Sequence, residues 1–376
     1  MESRRFFHGA NLQASPCHIF VAILSILFFS QTAAAIAATV NKTSPAAATP
    51  PIVPAVILFG DSIVDPGNNN GIKTIVKCNF PPYGKDFIGH VPTGRFCNGR
   101  IPGDFIASSL GVKDTVPAYV GQNLKDEELL TGVSFASGAS GYDPMTPAIT
   151  STISMPDQLG LFSQYKDKLK AIAGDAGADN IISESLFVVC AGSDDLANTY
   201  FIAPFRQAHY DIPSYVNLLV NSASDFIQKL HQMGARKIAY VGLPPIGCLP
   251  SQRTLGGGVL RECVPTRNEA AALYNSKIAA ELTRLGSNFE GTKLIYLDIY
   301  TIILDLVQRP SFYGFEVSNK GCCGTGEIEV SVLCNPKLPI CSDDSKYVFW
   351  DSYHPTERAY KIIVDNLLQR YLKYLV

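Results

Sequence analysis

Ala55-Val56-Ile57-Leu58-Phe59-Gly60-Asp61-Ser62 is an unbroken apolar run that ends in turn chemistry. Such a run reads as a buried strand delivering its last residues to the carboxyl edge of a sheet. Open α/β sheets carry their chemistry at that edge. Gly60 allows a backbone conformation that a β-carbon would oppose, and Ser62 then stands at the strand tip. A serine hydroxyl is a weak nucleophile until a base takes its proton. Near the other end, Trp350-Asp351-Ser352-Tyr353-His354-Pro355 sets a carboxylate three residues before a histidine. In a compact loop this spacing lets Asp351 bond imidazole Nδ1 and leaves Nε2 free. Pro355 suits the first position of a helix and Glu357 its first turn, and Ala359, Ile362, Ile363, Leu367 and Tyr371 continue an apolar stripe. Each motif alone is a common turn or helix start. Together they suggest a hydrolase with Ser62, Asp351 and His354 in that chain order.

The chain has 376 residues, 47% hydrophobic and 17% charged, with a formal net charge of -2. That length suits one large domain or two, and the charge offers no electrostatic case for nucleic acid. Arg4 and Arg5 precede an apolar run from Ile19 to Phe29, and Ala35-Ile36-Ala37 matches a cleavage site. Residues 1–38 therefore read as a secretory signal peptide, too short in its apolar part to span a bilayer comfortably. Residues 39–54 read as a flexible leader in which Asn41-Lys42-Thr43 is a glycosylation acceptor. One domain follows over residues 55–376, with no transmembrane segment. Export implies an oxidising compartment, in which cysteines are disulfide candidates. Cys322, Cys323, Cys334 and Cys341 suggest two bridges, Cys248 with Cys263 and Cys78 with Cys97 two more, and Cys190, inside an apolar strand, stays unpaired. Zinc is the alternative for the late cluster, but its spacing lacks two Cys-x-x-Cys knuckles.

Further along, Thr93-Gly94-Arg95-Phe96-Cys97-Asn98-Gly99-Arg100 offers two arginines, for a substrate carboxylate or for structure. Val133 to Gly141 is a second strand and a small-residue turn, able to bring a backbone N–H close to an anion. Ser185 to Gly192 is a near-continuous apolar strand, as parallel sheets require, and ends in Ser193-Asp194-Asp195. Helical pattern covers Pro156 to Ala173, Ser214 to Met233, Asn268 to Leu285 and Ile299 to Gln308. Strands follow at Arg236 to Gly242 and Lys293 to Asp298. This alternation predicts an α/β fold with a parallel sheet covered on both faces. No Gly-x-Ser-x-Gly, Walker loop, Gly-x-Gly-x-x-Gly or His-Glu-x-x-His occurs.

The segments FGDSIVDPGNNN (59–70), TGRFCNGRIPGDFIA (93–107), VSFASGASGYD (133–143), CAGSDDLANTYF (190–201), GLPPIGCLP (242–250), GCCGTG (321–326) and YVFWDSYHPTERAY (347–360) occur in one order. In them the chain resembles the plant GDSL esterase/lipase family of the SGNH hydrolase superfamily. The resemblance implies a three-layer α/β/α fold of flavodoxin-like type around a central parallel sheet, with no cofactor and no metal. It implies Ser62 as nucleophile and oxyanion donor, Gly138 as second donor, His354 as base and Asp351 as its orienting acid. The family pattern Gly-x-Asn-Asp here reads Gly192-Ser193-Asp194-Asp195. Asp194 thus stands where an amide donor is expected, and an ionised carboxylate has only acceptors. The activity implied is extracellular hydrolysis of acyl esters of lipids, polyesters or wall polysaccharides. Acyl transfer by the same three residues, or binding of lipid or glycan on a weakened site, are the alternatives.

Overall fold

The computed structural model describes residues 50–375 except Pro204. The expected signal peptide (1–38), Asn41 and most of the leader lie outside the described residues. The end of that leader is already packed: Ile52 N–H bonds the Leu110 carbonyl at 3.0 Å and Val53 is buried.

Four parallel strands form the sheet in the order β1 (Val56–Gly60), β2 (Leu186–Cys190), β3 (Lys237–Val241) and β4 (Lys293–Leu297). All five residues of β1 and of β2 are buried, which explains why they read as continuous apolar runs rather than alternating ones. The expected strand at Val133 is an irregular edge. It bonds β1 through Leu58 N–H to the Val133 carbonyl (3.1 Å), Phe135 N–H to the Leu58 carbonyl (2.8 Å) and Ser137 N–H to the Gly60 carbonyl (3.0 Å). With this segment counted as second in the chain, the spatial order is the flavodoxin-like 2-1-3-4-5.

Helices cover both faces, giving three layers, α/β/α. On one side lie α2 (Met155–Glu184), α3 (Ile212–Gln232) and α4 (Pro265–Gly286). On the other lie α1 (Pro102–Ser109), α5 (Tyr300–Gln308) and α6 (Glu357–Leu375). Side-chain alternation in β1 serves both layers. Phe59 meets Phe162 of α2 edge-on at 5.5 Å. Leu58 faces α1 so closely that a β-carbon on Gly103 would lie 2.3 Å from its Cδ1. Helix α2 runs past the expected Ala173 to Glu184, across a break at Gly174 with φ 74°. Helix α6 opens at Glu357, two residues beyond Pro355, because Pro355 is drawn into a bridge with Phe349.

The structure holds the bridges Cys248–Cys263, Cys322–Cys341 and Cys323–Cys334. The expected Cys78–Cys97 bridge is absent: both are buried free thiols, as is Cys190. Cys78 packs with Tyr83, Trp350 and the late disulfides, whereas Cys97 belongs to the main core, with its Sγ 3.6 Å from the Pro355 carbonyl. The two arginines are structural. Arg95 is buried and grips Asp104 through Nε and Nη2 at 2.8 and 2.7 Å. Arg100 reaches Glu357 at 2.9 Å and so ties its loop to α6.

Candidate active site

Strand β1 delivers Ser62 through a turn that only glycine permits. Gly60 has φ 141°, and a β-carbon there would lie 1.8 Å from the Cys190 carbonyl oxygen. The Gln158 side chain bonds both the N–H and the carbonyl of Gly60, at 2.8 and 2.9 Å. The next residues, Asp65-Pro66-Gly67-Asn68-Asn69, sew this tip to the 133–138 edge. Asn68 Nδ2 donates to the Ser134 and Ala136 carbonyls at 2.9 and 2.7 Å. Asn69 Nδ2 donates to the Gly138 carbonyl at 3.1 Å. Asp65 accepts the N–H groups of Gly67, Asn68 and Gly138 at 2.8, 2.7 and 2.9 Å. Burial lifts its pKa to about 6, with these N–H groups pulling it back.

From the far end of the chain, the loop after β6 (Tyr347–Phe349), whose strand pairs with β5 (Val317–Gly321), closes on Ser62. The Trp350 N–H bonds the His354 carbonyl at 2.7 Å and folds that loop back on itself. His354 Nε2 lies 2.7 Å from Ser62 Oγ, and His354 Nδ1 lies 2.9 Å from both oxygens of Asp351. Asp351 accepts a hydrogen bond from the Nδ1–H, which leaves Nε2 as an acceptor for the serine hydroxyl. Asp351 is fully buried and also accepts the backbone N–H groups of Tyr353 and His354 at 2.8 and 2.7 Å.

Its remaining donor is Tyr83, whose hydroxyl lies 2.8 Å from Asp351 Oδ2 and accepts the Ser331 N–H at 2.8 Å. In the sequence, Tyr83 is only part of a Pro-Pro-Tyr-Gly turn. Nothing local points to a partner 268 residues away. The Phe96 ring lies against His354, with centroids 5.2 Å apart.

The three sequence-predicted residues Ser62, His354 and Asp351 thus come together, while Gly138 departs from expectation. The Gly138 N–H is already donated to Asp65. Its neighbour Ala139 sits in left-handed backbone at φ 63°. Gly141 makes room for a different group: a β-carbon there would lie 2.2 Å from Asp195 Oδ1. Asp195 is buried and accepts the Tyr142 and Asp143 N–H groups at 2.8 and 3.1 Å and the Thr146 hydroxyl at 2.5 Å. Burial nevertheless raises its pKa to about 7.

Asp194 lines the same cavity as Ser62 and His354. Its Oδ1 accepts the Asn198 amide at 2.6 Å, and Asn198 Oδ1 in turn accepts the Tyr353 hydroxyl at 2.6 Å. Burial raises the Asp194 pKa to about 6, partly offset by His354 and Asn198. Burial, and then the Asp194 charge, push the neighbouring Asp61 well above the usual carboxylate range. No group of metal-ligating side chains occurs among the described residues.

Residues 56–367 match the model of the GDSL-like lipase/acylhydrolase family. The GDSL esterase/lipase EXL3 of Arabidopsis thaliana is 53% identical over 357 residues, covering 95% of each chain. EXL2 of the same plant is 45% identical over 97% of this chain and 98% of its own. A solved acetylxylan esterase from Geobacillus stearothermophilus aligns over 84% of this chain and 92% of that one, at 10% identity and a TM-score of 0.38. That likeness is too slight to bear on function.

Proposed function

The chain belongs to the GDSL-like lipase/acylhydrolase family and is a carboxylic ester hydrolase, and we propose that it cleaves its ester through Ser62, His354 and Asp351. The observation that carries this reading is the continuous set of contacts from Ser62 Oγ to His354 Nε2 and from His354 Nδ1 to Asp351. Ser62 Oγ attacks the ester carbonyl as its proton passes to His354 Nε2. Asp351 holds the ring and balances the imidazolium. The tetrahedral intermediate collapses, His354 returns the proton to the leaving alkoxide, and an acyl-Ser62 ester remains. Water, deprotonated by the same imidazole, then releases the acid. We assign the Ser62 N–H to the oxyanion, rather than that of Gly138, which is donated to Asp65. Asp194 faces this charge and serves it only as the neutral acid. The N-terminal pattern and the three disulfides support secretion into an oxidising medium.

The test is Ser62→Ala on an activated ester. Turnover is expected to fall by roughly 10⁴-fold or more, as in other enzymes that lose the serine of such a set. A variant within tenfold of wild type would overturn the assignment.

A further inference from the structure

A narrow cavity begins at Ser62 and His354 and passes between the sheet and the α1/α5/α6 layer. Its head is polar: Asp61, Ser193, Asp194 and Tyr353 stand around Ser62. Two buried polar atoms on its wall, Asp61 Oδ2 and the Tyr360 hydroxyl, have no protein partner. Tyr360 lines the cavity together with Ser62 and His354.

Beyond the head the wall is hydrocarbon. Val188, Val241 and Leu297 come from successive strands, and Ile303, Val364 and Leu367 from the covering helices. The first three lie on one face of β2, β3 and β4, so the cavity crosses the sheet away from the β1 tip. Three strand spacings make that path roughly 14 Å. Along α6 the lining runs from Tyr360 to Leu367, about two helical turns and roughly 10 Å.

We propose that this cavity holds the hydrocarbon chain of the acyl group, so that the preferred substrates are esters of unbranched aliphatic acids rather than acetyl esters. The inference rests on Ser62 being the nucleophile, since it sets the acyl carbonyl at the cavity's head. An acetyl group fills only the head and leaves the deeper wall unused. A path of roughly 10–14 Å accommodates an extended chain of about eight to twelve carbons. The interior of a protein is close-packed and yields little to a longer chain. Each methylene moved from water into such a wall favours the transition state by about fourfold until the end is reached.

The experiment measures kcat/KM for p-nitrophenyl esters of two to sixteen carbons with the wild type, Leu297→Phe and Leu297→Ala. The wild-type ratio of the ten-carbon to the two-carbon ester is expected to exceed about a hundred. Leu297→Phe should lower that ratio at least tenfold and Leu297→Ala should move the optimum to longer chains. A ratio reads only the folded, active molecules, so partial misfolding does not imitate the result. A wild type that prefers acetate, or a ratio unmoved by both variants, overturns the proposal.

A second arm separates this proposal from the nucleophile assignment. Full-chain Ser62→Ala is titrated calorimetrically with decanoate, which should bind, and with acetate, which should not. Adding Leu297→Phe to that variant should weaken binding at least tenfold. If Ser62→Ala keeps its turnover but binds decanoate, the nucleophile reading fails and the acyl-chain proposal falls with it, leaving only a hydrocarbon-binding cavity. If Ser62→Ala is inactive and binds no fatty acid, the cavity reading alone fails.

Discussion

Asp351 takes four donors, and only Tyr83 among them comes from a distant part of the chain. Its hydroxyl fixes one carboxylate oxygen and thereby the plane of the His354 ring. Tyr83→Phe keeps the packing and removes that bond. We expect kcat to drop about tenfold with KM nearly unchanged, because second-layer groups of this kind act by orientation. A change confined to KM would show that Tyr83 does not position the site. Asp194 gives the opposite sign. With its pKa near 6, it is ionised at pH 8 and opposes the oxyanion, whereas below pH 6 it is a neutral acid that can donate. Asp194→Asn should therefore raise kcat at pH 8, by about tenfold where a full oxyanion donor is worth 10²–10³. The gain should shrink as pH falls below 6. Equal ratios at pH 5 and pH 8 would remove Asp194 from the oxyanion site.

Elements meet at the site through close backbone approaches. The β1 tip nearly touches β2 at Gly60, in a conformation at φ 141° that L side chains rarely adopt. Gly60→Ala places a methyl group on the Cys190 carbonyl and should cost about 3 kcal/mol or more of stability. Thermal unfolding measures it, and a loss under about 1 kcal/mol would show that the tip can shift freely. The same tip explains the Asp-Pro-Gly-Asn-Asn run. Its polar side chains replace regular strand pairing between β1 and the 133–138 edge, bonding backbone groups that would otherwise be buried without partners. The late disulfides act similarly from the other side. They hold the segment around Ser331, whose N–H rests on the Tyr83 hydroxyl.

At the scale of the molecule, pH acts through the buried carboxylates. Asp65 and Asp194 titrate near 6 and Asp195 near 7 in the folded protein, all raised by burial. Unfolded, each returns to the ordinary 3.8. The folded state binds these protons more tightly. Their contribution is therefore fully present below about pH 4 and is lost as pH rises through 6 to 7. Asp143 has the opposite sign: although burial opposes it, the Arg206 bond holds its pKa below the usual value. Its contribution is lost as pH falls through that lowered value. Stability should thus peak on the acidic side, near pH 4, and decline toward pH 8. Thermal melts from pH 4 to 9 check this. A maximum at pH 8 would mean that these carboxylates relax into water on ionising. Asp194→Asn should flatten the decline.

Ser62, Asp351 and His354 were legible in the sequence because each lies inside a local pattern that states its own geometry. An apolar run ending in Gly-Asp-Ser delivers a serine to a sheet edge, and a three-residue spacing lets a carboxylate hold an imidazole. Strand and helix alternation settled the α/β class for the same reason, since hydrophobic periodicity is a local signal. Pairing and occupancy are not local. Only the tertiary structure decided that Cys78 and Cys97 pack into different clusters, and that Arg95 serves Asp104. It alone decided that the Gly138 N–H is spent on Asp65, that Gly141 yields its space to Asp195, and that Tyr83 completes the Asp351 shell. Which donor meets which acceptor depends on the approach of segments hundreds of residues apart, and on the need to satisfy each buried polar group where the packing leaves it. The cavity beneath Ser62 belongs to the same category. Its apolar residues are spread over strands and helices across the domain, and only their convergence on one wall turns core-forming side chains into a place for an acyl chain.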